Sequence, residues 1–301
     1  MRKLTIFLVF VSVFGTISIL FAFFPACTKI QNNTRYVESI QIRGSDTIVN
    51  LIQAWSENFV KQYPNCNISV TGGGSGTGFA SLINKTCDIT MSSRKIEKKE
   101  KLLADIKGIK PVEFKIGIDG LAVLVNKNNP VSKLTLEQLR DIFMAKITNW
   151  KEVGGENKKI VVLSRESNSG THMFFKERVL RNNDKNSNNE FSMHSLMMSS
   201  SQAIYDEVYQ NSNALGYVGM GFINNGVKAI SVAINNKDGY GYPNLENVMN
   251  GKYPISRPLY LYTNGEPYGV VEMFIKYALS DEGQNIVLNT DFAPIKKLKK
   301  E

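Results

Sequence analysis

The chain has few of the residues that bind transition metals. Its 301 residues include two histidines, His172 and His194, and three cysteines, Cys27, Cys66 and Cys87. These residues form no cluster at the spacing typical of metal ligands. We therefore expect no metal site, and no pattern in the chain calls for another cofactor.

Motifs of nucleotide-binding and hydrolytic proteins are also missing. A phosphate loop beginning at Gly73 reaches Gly78 but has Phe79 where lysine is required, and no G-x-G-x-x-G motif occurs. The nucleophile motif G-x-S-x-G fails because Thr77 occupies its last position. A hydrolase would also need a histidine base, and no aspartate is evidently placed to orient His172. We therefore expect a binding protein and not an enzyme.

The N-terminus predicts export. Arg2 and Lys3 precede an uncharged, mostly apolar run over residues 4–26, which is typical of a signal peptide over residues 1–26. Because the run is long for a cleaved signal, an uncleaved membrane anchor is a second interpretation. Cys27 follows Ala26, as at a bacterial lipoprotein site, so we expect Cys27 to be lipidated. All three interpretations place the folded part in the periplasm or at the outer face of the cytoplasmic membrane.

The net charge of +9 indicates an affinity for anions. Removal of Arg2 and Lys3 with the signal leaves +7. Basic residues cluster at 94–101 and in the tail 296–301, without interleaved aromatic residues, so we expect solvated faces and no nucleic-acid partner. The positive field would attract anions over a distance, and salt would weaken that attraction.

Three glycine-, serine- and threonine-rich turns each join a predicted strand to a predicted helix. They span residues 44–47, 71–78 and 164–171. The first backbone N–H groups of a helix have no partner within the helix and lie at the positive end of its dipole. Hydroxyl side chains add donors, and Arg165 adds a planar group of N–H donors. Together the turns predict an oxyanion site, although each turn alone would also suit a helix cap.

The pattern of strands and helices predicts an α/β fold. Strands at 39–43, 67–71 and 87–92 alternate with helices at 47–63, 77–85 and 95–105, which indicates a doubly wound parallel sheet. Extended segments at 112–118 and 121–125 predict a crossover into a second α/β domain, and 257–263 predicts the return. We expect a two-strand hinge, with residues 27–37 as a polar tether. Domain 1 then comprises 38–117 and 258–295, domain 2 comprises 118–257, and 296–301 forms a basic tail.

In the strand order 2-1-3 that is usual for such sheets, Cys66 and Cys87 begin two strands separated by the first. Two strand spacings of about 4.8 Å exceed the roughly 7 Å limit on Cα separation in a disulfide. We therefore expect free thiols at Cys66 and Cys87.

The turns also carry a family resemblance. Residues 44–47, 73–79, 88–94 and 164–171, with 119–126, 142–150 and 214–219, resemble the PstS-type phosphate-binding proteins of bacterial phosphate ABC transporters, over about residues 38–295. The resemblance implies a periplasmic binding protein of type II, the Venus flytrap fold. It also implies a monomer that delivers inorganic phosphate to membrane permease and ATPase subunits.

The resemblance implies a set of phosphate ligands: Ser45, Thr47, Ser75, Ser93, Arg165, Ser169, Gly170 and Thr171. Some members have an aspartate at position 93, which accepts the proton of hydrogen phosphate and repels sulfate. This chain has Ser93, which does not discriminate by itself because a hydroxyl both donates and accepts. Asp46, our first choice, and Asp119 are candidate acceptors, while Asp46 also suits a cap and Asp119 a turn. Arg94 either reaches the anion or points to solvent.

The missing aspartate leaves sulfate or molybdate as alternative ligands. A surface adhesin or scaffold that keeps the fold without transport is a further alternative, and a hydrolase is the least favoured one.

Lipidation at Cys27 is directly testable. Metabolic labelling with radioactive palmitate should mark the wild-type protein, and Cys27→Ser should abolish the label because the thiol is the only acylation site that the motif provides. Label that survives the substitution, or a mature N-terminus at another residue, would contradict the prediction.

Overall fold

A computed structural model describes residues 38–296 and 298 of the chain. The signal at 1–26, the tether at 27–37 with Cys27, and most of the tail at 296–301 are predictions that lie outside the described residues. Within the described part, no helix is both long enough and apolar enough to span a membrane.

Strands and helices alternate along the described chain. The strands are β1 (Glu38–Gly44), β2 (Cys66–Thr71), β3 (Ile89–Ser92), β4 (Pro111–Asn126), β5 (Lys133–Thr135), β6 (Val161–Arg165), β7 (Leu196–Met198), β8 (Ala214–Gly219), β9 (Val227–Ala229), β10 (Ser231–Ala233) and β11 (Ser256–Asn264). The helices are α1 (Val49–Gln62), α2 (Ser75–Ile83), α3 (Lys98–Ile106), α4 (Leu136–Phe143), α5 (Gly170–Phe175), α6 (Ser201–Gln210), α7 (Leu245–Met249), α8 (Gly269–Leu279) and α9 (Asp281–Asn289).

The main sheet has the strand order β2-β1-β3-β11-β4-β8-β6-β7, and β9 also pairs with β4. β1 is parallel to β2 and β3, whereas β11 is antiparallel to both β3 and β4. β4 pairs with β11 through its first part and with β8 through its last part. The strands β4 and β11 therefore connect two lobes. The first lobe contains β1–β3 with α1–α3, α8 and α9, and the second contains β5–β10 with α4–α7.

Each lobe has its own apolar core. In the first lobe, the apolar residues of α1 lie on one face at helical spacing, and Trp55 and Phe59 pack edge-on against Phe274 of α8. In the second lobe, Phe175 stacks on Tyr217 with ring centroids 4.0 Å apart. Burial of each such side chain contributes about 1.5–3 kcal/mol to the free energy of unfolding. The contacts within each core therefore stabilise that lobe.

The expected α/β fold, with two α/β parts joined by two strands, is confirmed. One detail differs, because the two predicted segments at 112–118 and 121–125 form the single strand β4. The sequence Asp119-Gly120 breaks the apolar pattern, but Asp119 lies opposite Arg257 of β11 and forms an ion pair with it. The carboxylate is therefore accommodated inside the strand, and the interpretation of Asp119 as a turn residue is wrong.

β1 lies between β2 and β3, as the order 2-1-3 predicts, and Cys66 and Cys87 are free thiols. α2 begins at Ser75, two residues earlier than predicted. Gly73 and Gly74 have φ angles of 118° and 93°, which favour glycine, and the helix starts directly after them. Ser75 therefore lies in the first turn of α2.

Candidate functional site

Three serines of the first lobe meet at the carboxyl ends of β1, β2 and β3. The Ser45 hydroxyl donates to the Ser93 hydroxyl over 2.9 Å, and the Ser75 and Ser93 hydroxyl oxygens lie 3.4 Å apart. The Ser75 oxygen also accepts the Ser93 backbone N–H over 3.1 Å. All three side chains are buried. Two of the three predicted turns, at 44–47 and 71–78, therefore come together in the fold.

The start of α5 in the second lobe closes against these serines. A Cβ atom at Gly170 would lie 2.3 Å from the Ser75 hydroxyl oxygen and 2.7 Å from that of Ser93, so a side chain here would push the lobes apart. The Ser169 hydroxyl caps α5 by accepting the backbone N–H groups of Thr171 and His172. The segment thus serves as a helix cap and also lies against the serine cluster.

Thr47 and Thr171 provide a second meeting point between the lobes. Their Oγ1 atoms are 2.8 Å apart, and both side chains are about 1% exposed. Thr47 precedes α1 in the first lobe, and Thr171 lies in the first turn of α5. The hydroxyls predicted from two distant turns are therefore in direct contact.

The sequence analysis missed a buried cation at this point. Arg257 of β11 donates through Nη2 to the hydroxyl oxygens of Thr171 over 2.9 Å and Thr47 over 3.3 Å. Its Nε and Nη2 also donate to Asp119 Oδ2, over 3.1 and 3.0 Å. A signal was present, because Arg257 is a charged residue at the start of the strand 257–263 that was predicted to return to the first domain. A charge in such a strand needs a buried partner.

The carboxylate of Asp119 is fully buried. Its Oδ1 accepts the Met220 backbone N–H over 3.1 Å. Burial raises the pKa of Asp119, while the Arg257 guanidinium and the Met220 N–H act in the opposite direction because they stabilise the charged form. Both oxygens of the predicted acceptor are therefore already engaged by the protein.

Arg165 and Asp46 form an ion pair across the two lobes. Arg165 Nη2 donates to Asp46 Oδ2 over 2.6 Å, and Asp46 Oδ1 accepts the Gly73 backbone N–H over 2.9 Å. The other Arg165 donors reach the Ser201 hydroxyl and the carbonyl oxygens of Met198 and Ser199. These bonds use four of the five guanidinium hydrogens. That Arg165 contacts an anion stays a prediction, and one Nη1 hydrogen is left for that contact.

Arg94 does not point to solvent, and a carboxylate engages both of its terminal nitrogens. Its Nη1 and Nη2 each donate to Glu100 over 2.7 Å, and its guanidinium lies 5.2 Å from the centre of the Phe79 ring. A bidentate carboxylate contact on an aromatic face fixes an arginine strongly. Arg94 thus stabilises the start of α3 beside the serine cluster.

Asn168 adds a lobe contact that the motif did not predict. Its side-chain Nδ2 donates to the Gly73 carbonyl oxygen over 3.0 Å and to the Thr77 hydroxyl over 3.2 Å. The backbone carbonyl oxygen of Asn168 accepts the Gly76 N–H over 2.9 Å. The glycine-rich turn of one lobe is therefore bound directly to the arginine turn of the other.

Comparison with known proteins agrees with this geometry. A family model described as a PBP superfamily domain matches residues 30–282. The chain is 31% identical to phosphate-binding protein PstS of Pseudomonas aeruginosa over 299 residues, which cover 93% of this chain and 90% of that protein. It is 34% identical to PstS of Staphylococcus epidermidis over 249 residues, 80% of this chain and 74% of that protein. The chain belongs to the PstS family of the PBP superfamily.

Solved structures of similar proteins extend the family match to the fold. A crystal structure from Clostridium perfringens, described as a candidate phosphate ABC transporter substrate-binding protein with bound phosphate, is 33% identical with a TM-score of 0.77. The match covers 86% of this chain and all of that one. An ABC-type phosphate transport receptor from Vibrio cholerae is 28% identical with a TM-score of 0.65, covering 84% and 99%. The predicted type II periplasmic binding protein fold is confirmed.

His172, the histidine that a hydrolase would need, is engaged away from the serine cluster of this PstS family member. Its Nδ1 lies 3.3 Å from the Ser164 hydroxyl, which lies 2.7 Å from the Tyr217 hydroxyl, and its ring packs on Phe191. Burial lowers the pKa of His172 to about 4, and the nearby Lys176 acts in the same direction. In the described part of the chain, no group of three His, Cys, Asp or Glu residues is arranged to hold a metal ion.

His172 should make the stability depend on pH. The unfolded chain takes up a proton near pH 6.5, whereas the folded protein does so only near pH 4. His172 should therefore lower the free energy of unfolding as the pH falls from about 6.5 to about 4, and it should have no such effect above pH 6.5. Urea unfolding at several pH values should show that the free energy of unfolding falls less steeply with falling pH in His172→Phe than in the wild type. Equal slopes would contradict the assignment.

Proposed function

We propose that the chain binds inorganic phosphate between its two lobes and delivers it to the permease and ATPase subunits of an ABC transporter. The observation that carries the proposal is the meeting of buried hydroxyls from both lobes beside the starts of α2 and α5. Relatives named phosphate-binding protein PstS and a similar structure with bound phosphate support this ligand.

The proposed ligands are those predicted from the motifs: Ser45, Thr47, Ser75, Ser93, Arg165, Ser169, Gly170 and Thr171. Hydrogen bonds to a charged group contribute about 1.5–3 kcal/mol each. Micromolar binding requires only about 8 kcal/mol. Donors of this number therefore suffice for a dehydrated anion and leave a surplus that offsets desolvation and closure of the lobes.

Movement of the lobes would couple binding to transport. We propose that residues 38–117 with 258–295, and residues 118–257, move as two domains about β4 and β11. An anion that contacts donors of both domains favours the closed form, and the permease would recognise that form. The contacts of Asp46 with Arg165 and of Asn168 with Gly73 would form on closure, because each joins one lobe to the other.

We also propose that the protein is exported, acts as a monomer, and is held at the outer face of the cytoplasmic membrane through Cys27. The apolar run before Cys27 supports this location. The polar tether at 27–37 would then leave the folded part free to reach the permease.

Calorimetric titration of the signal-free protein tests the function. Phosphate should bind with micromolar or tighter affinity, and sulfate and molybdate should bind more weakly, since neither carries a proton for the Asp46 carboxylate that we propose as the acceptor. A phosphatase assay on the same preparation should show no turnover. A preference for sulfate or molybdate would replace phosphate as the ligand, and phosphatase turnover would favour the hydrolase.

Arg165 and Asp46 should affect binding differently. Arg165→Ala should reduce phosphate affinity by at least about 2 kcal/mol, roughly 30-fold, because a charged donor to the anion and the contact with Asp46 across the lobes are both lost. Asp46→Asn should weaken phosphate binding and strengthen sulfate binding, because an amide also donates.

The double variant separates direct contact from closure. If Arg165 acts only through its pair with Asp46, the double variant should bind no worse than Asp46→Asn alone. Unchanged affinity in Arg165→Ala would remove Arg165 from the site. An unchanged preference for phosphate over sulfate in Asp46→Asn would pass the acceptor role to Asp119.

A further inference from the structure

Arg257 occupies the point where the two lobes and the two connecting strands meet. Its side chain is 2% exposed, and its Nη2 contacts the hydroxyls of Thr47 in the first lobe and Thr171 in the second. Among the described residues, its Nη1 is buried and has no hydrogen-bond partner. A buried guanidinium nitrogen without a partner is costly unless a ligand satisfies it.

Asp119 fixes the orientation of this guanidinium. It accepts both the Nε and Nη2 hydrogens on one edge, and the Met220 N–H holds the carboxylate in turn. Phe174 lies against the guanidinium, with its ring centre 5.4 Å from the Arg257 Cζ atom. Because one edge and one face are engaged by the protein, Nη1 is left as the group able to meet a ligand.

The contacts also determine what the two threonines can do. A hydroxyl oxygen that accepts an N–H bond keeps its own hydrogen for donation. Nη2 donates to both Thr47 and Thr171, whose hydroxyl oxygens also lie 2.8 Å apart, so one hydroxyl donates to the other and the second keeps its hydrogen for a ligand. Both are residues that we propose as phosphate ligands.

Arg257 further shares a space with the serine cluster. Arg257 and Ser93 line one cavity of about 680 Å³, together with Met173, Phe174 and Pro258. Arg257 and a hydroxyl-bearing residue that we place on the anion therefore border the same open groove.

We propose that Arg257 is an additional anion ligand of this site, which contacts the oxyanion through Nη1 and holds the hydrogen-bonded Thr47 and Thr171 hydroxyls beside it. The inference rests on the proposed function, since it concerns the same cleft. It assigns to β11, a strand that connects the lobes, a direct part in sensing the ligand. Arg165 and Arg257 would then reach the anion from different elements.

Two variants test the assignment. Arg257→Lys keeps a cation near Asp119 but lacks the planar group that reaches both threonines. The double variant Arg257→Met with Asp119→Asn removes the pair together, so that no buried charge is left unpaired. Arg178→Lys is the matched control, because Arg178 is a partly buried arginine of the second lobe that donates to the Pro254 carbonyl oxygen and is not among the proposed ligands.

Phosphate affinity of the folded proteins is the first readout. Loss of one charge-assisted donor corresponds to a decrease of about 10- to 100-fold in each Arg257 variant, with the control unchanged. A purely structural role would lower the urea midpoint and leave the affinity of the folded protein unchanged, which would overturn the inference.

The phosphate complex of the wild-type protein gives a second readout that does not depend on any variant. Its crystal structure should show Arg257 Nη1 within hydrogen-bond distance of a phosphate oxygen. A phosphate bound in the cleft without that contact would overturn the inference and leave the proposed function standing. A wild-type protein that binds no phosphate would instead overturn the proposed function.

Discussion

The ion pair between Asp119 and Arg257 lies where β4 and β11 cross between the lobes. The two residues are direct partners in the strand register, both are buried, and their contact is 3.0 Å. The backbone hydrogen bonds between the two strands set the position of each lobe. The ion pair allows two charged residues to be buried where these strands pass between the lobes. The turns of both lobes face each other because they extend from the two halves of the main sheet, which these strands join. The geometry of the site therefore depends on this crossing.

Close approach of backbone at the cleft is the second constraint. Gly170 lies against the Ser75 and Ser93 hydroxyls, and a Cβ at Gly74 would lie 2.9 Å from the Asn168 carbonyl oxygen. Helix N-termini bind anions through backbone N–H groups, and that requires the chain to come near the ligand without a side chain between them. Glycine thus serves the same purpose on both sides of the cleft. The hydroxyls supply the remaining donors.

Much of the fold follows from local pattern. The apolar spacing of α1, the cap of α4 at Thr135 and the glycine turn before α2 are each decided within about a dozen residues. Predicted element limits agree with the structure to within a few residues for this reason. β4 was predicted in two pieces, since an aspartate within an apolar run indicates a break. Its partner, Arg257, is 138 residues away in the chain and cannot be paired with it by local pattern.

Local sequence was enough to identify the turns that carry the donors, because hydroxyl, glycine and arginine residues next to helix starts have a chemistry that does not depend on the rest of the chain. How those donors are shared depends on the assembled fold. Arg165 meets Asp46 across 119 residues, and Thr47 meets Thr171 across 124. A guanidinium forms its bonds with whichever acceptors the fold brings within about 3 Å, so its partners are a property of the assembled lobes. Arg257 lies at the centre of the site for the same reason, because β11 pairs with β4 where both strands pass between the lobes.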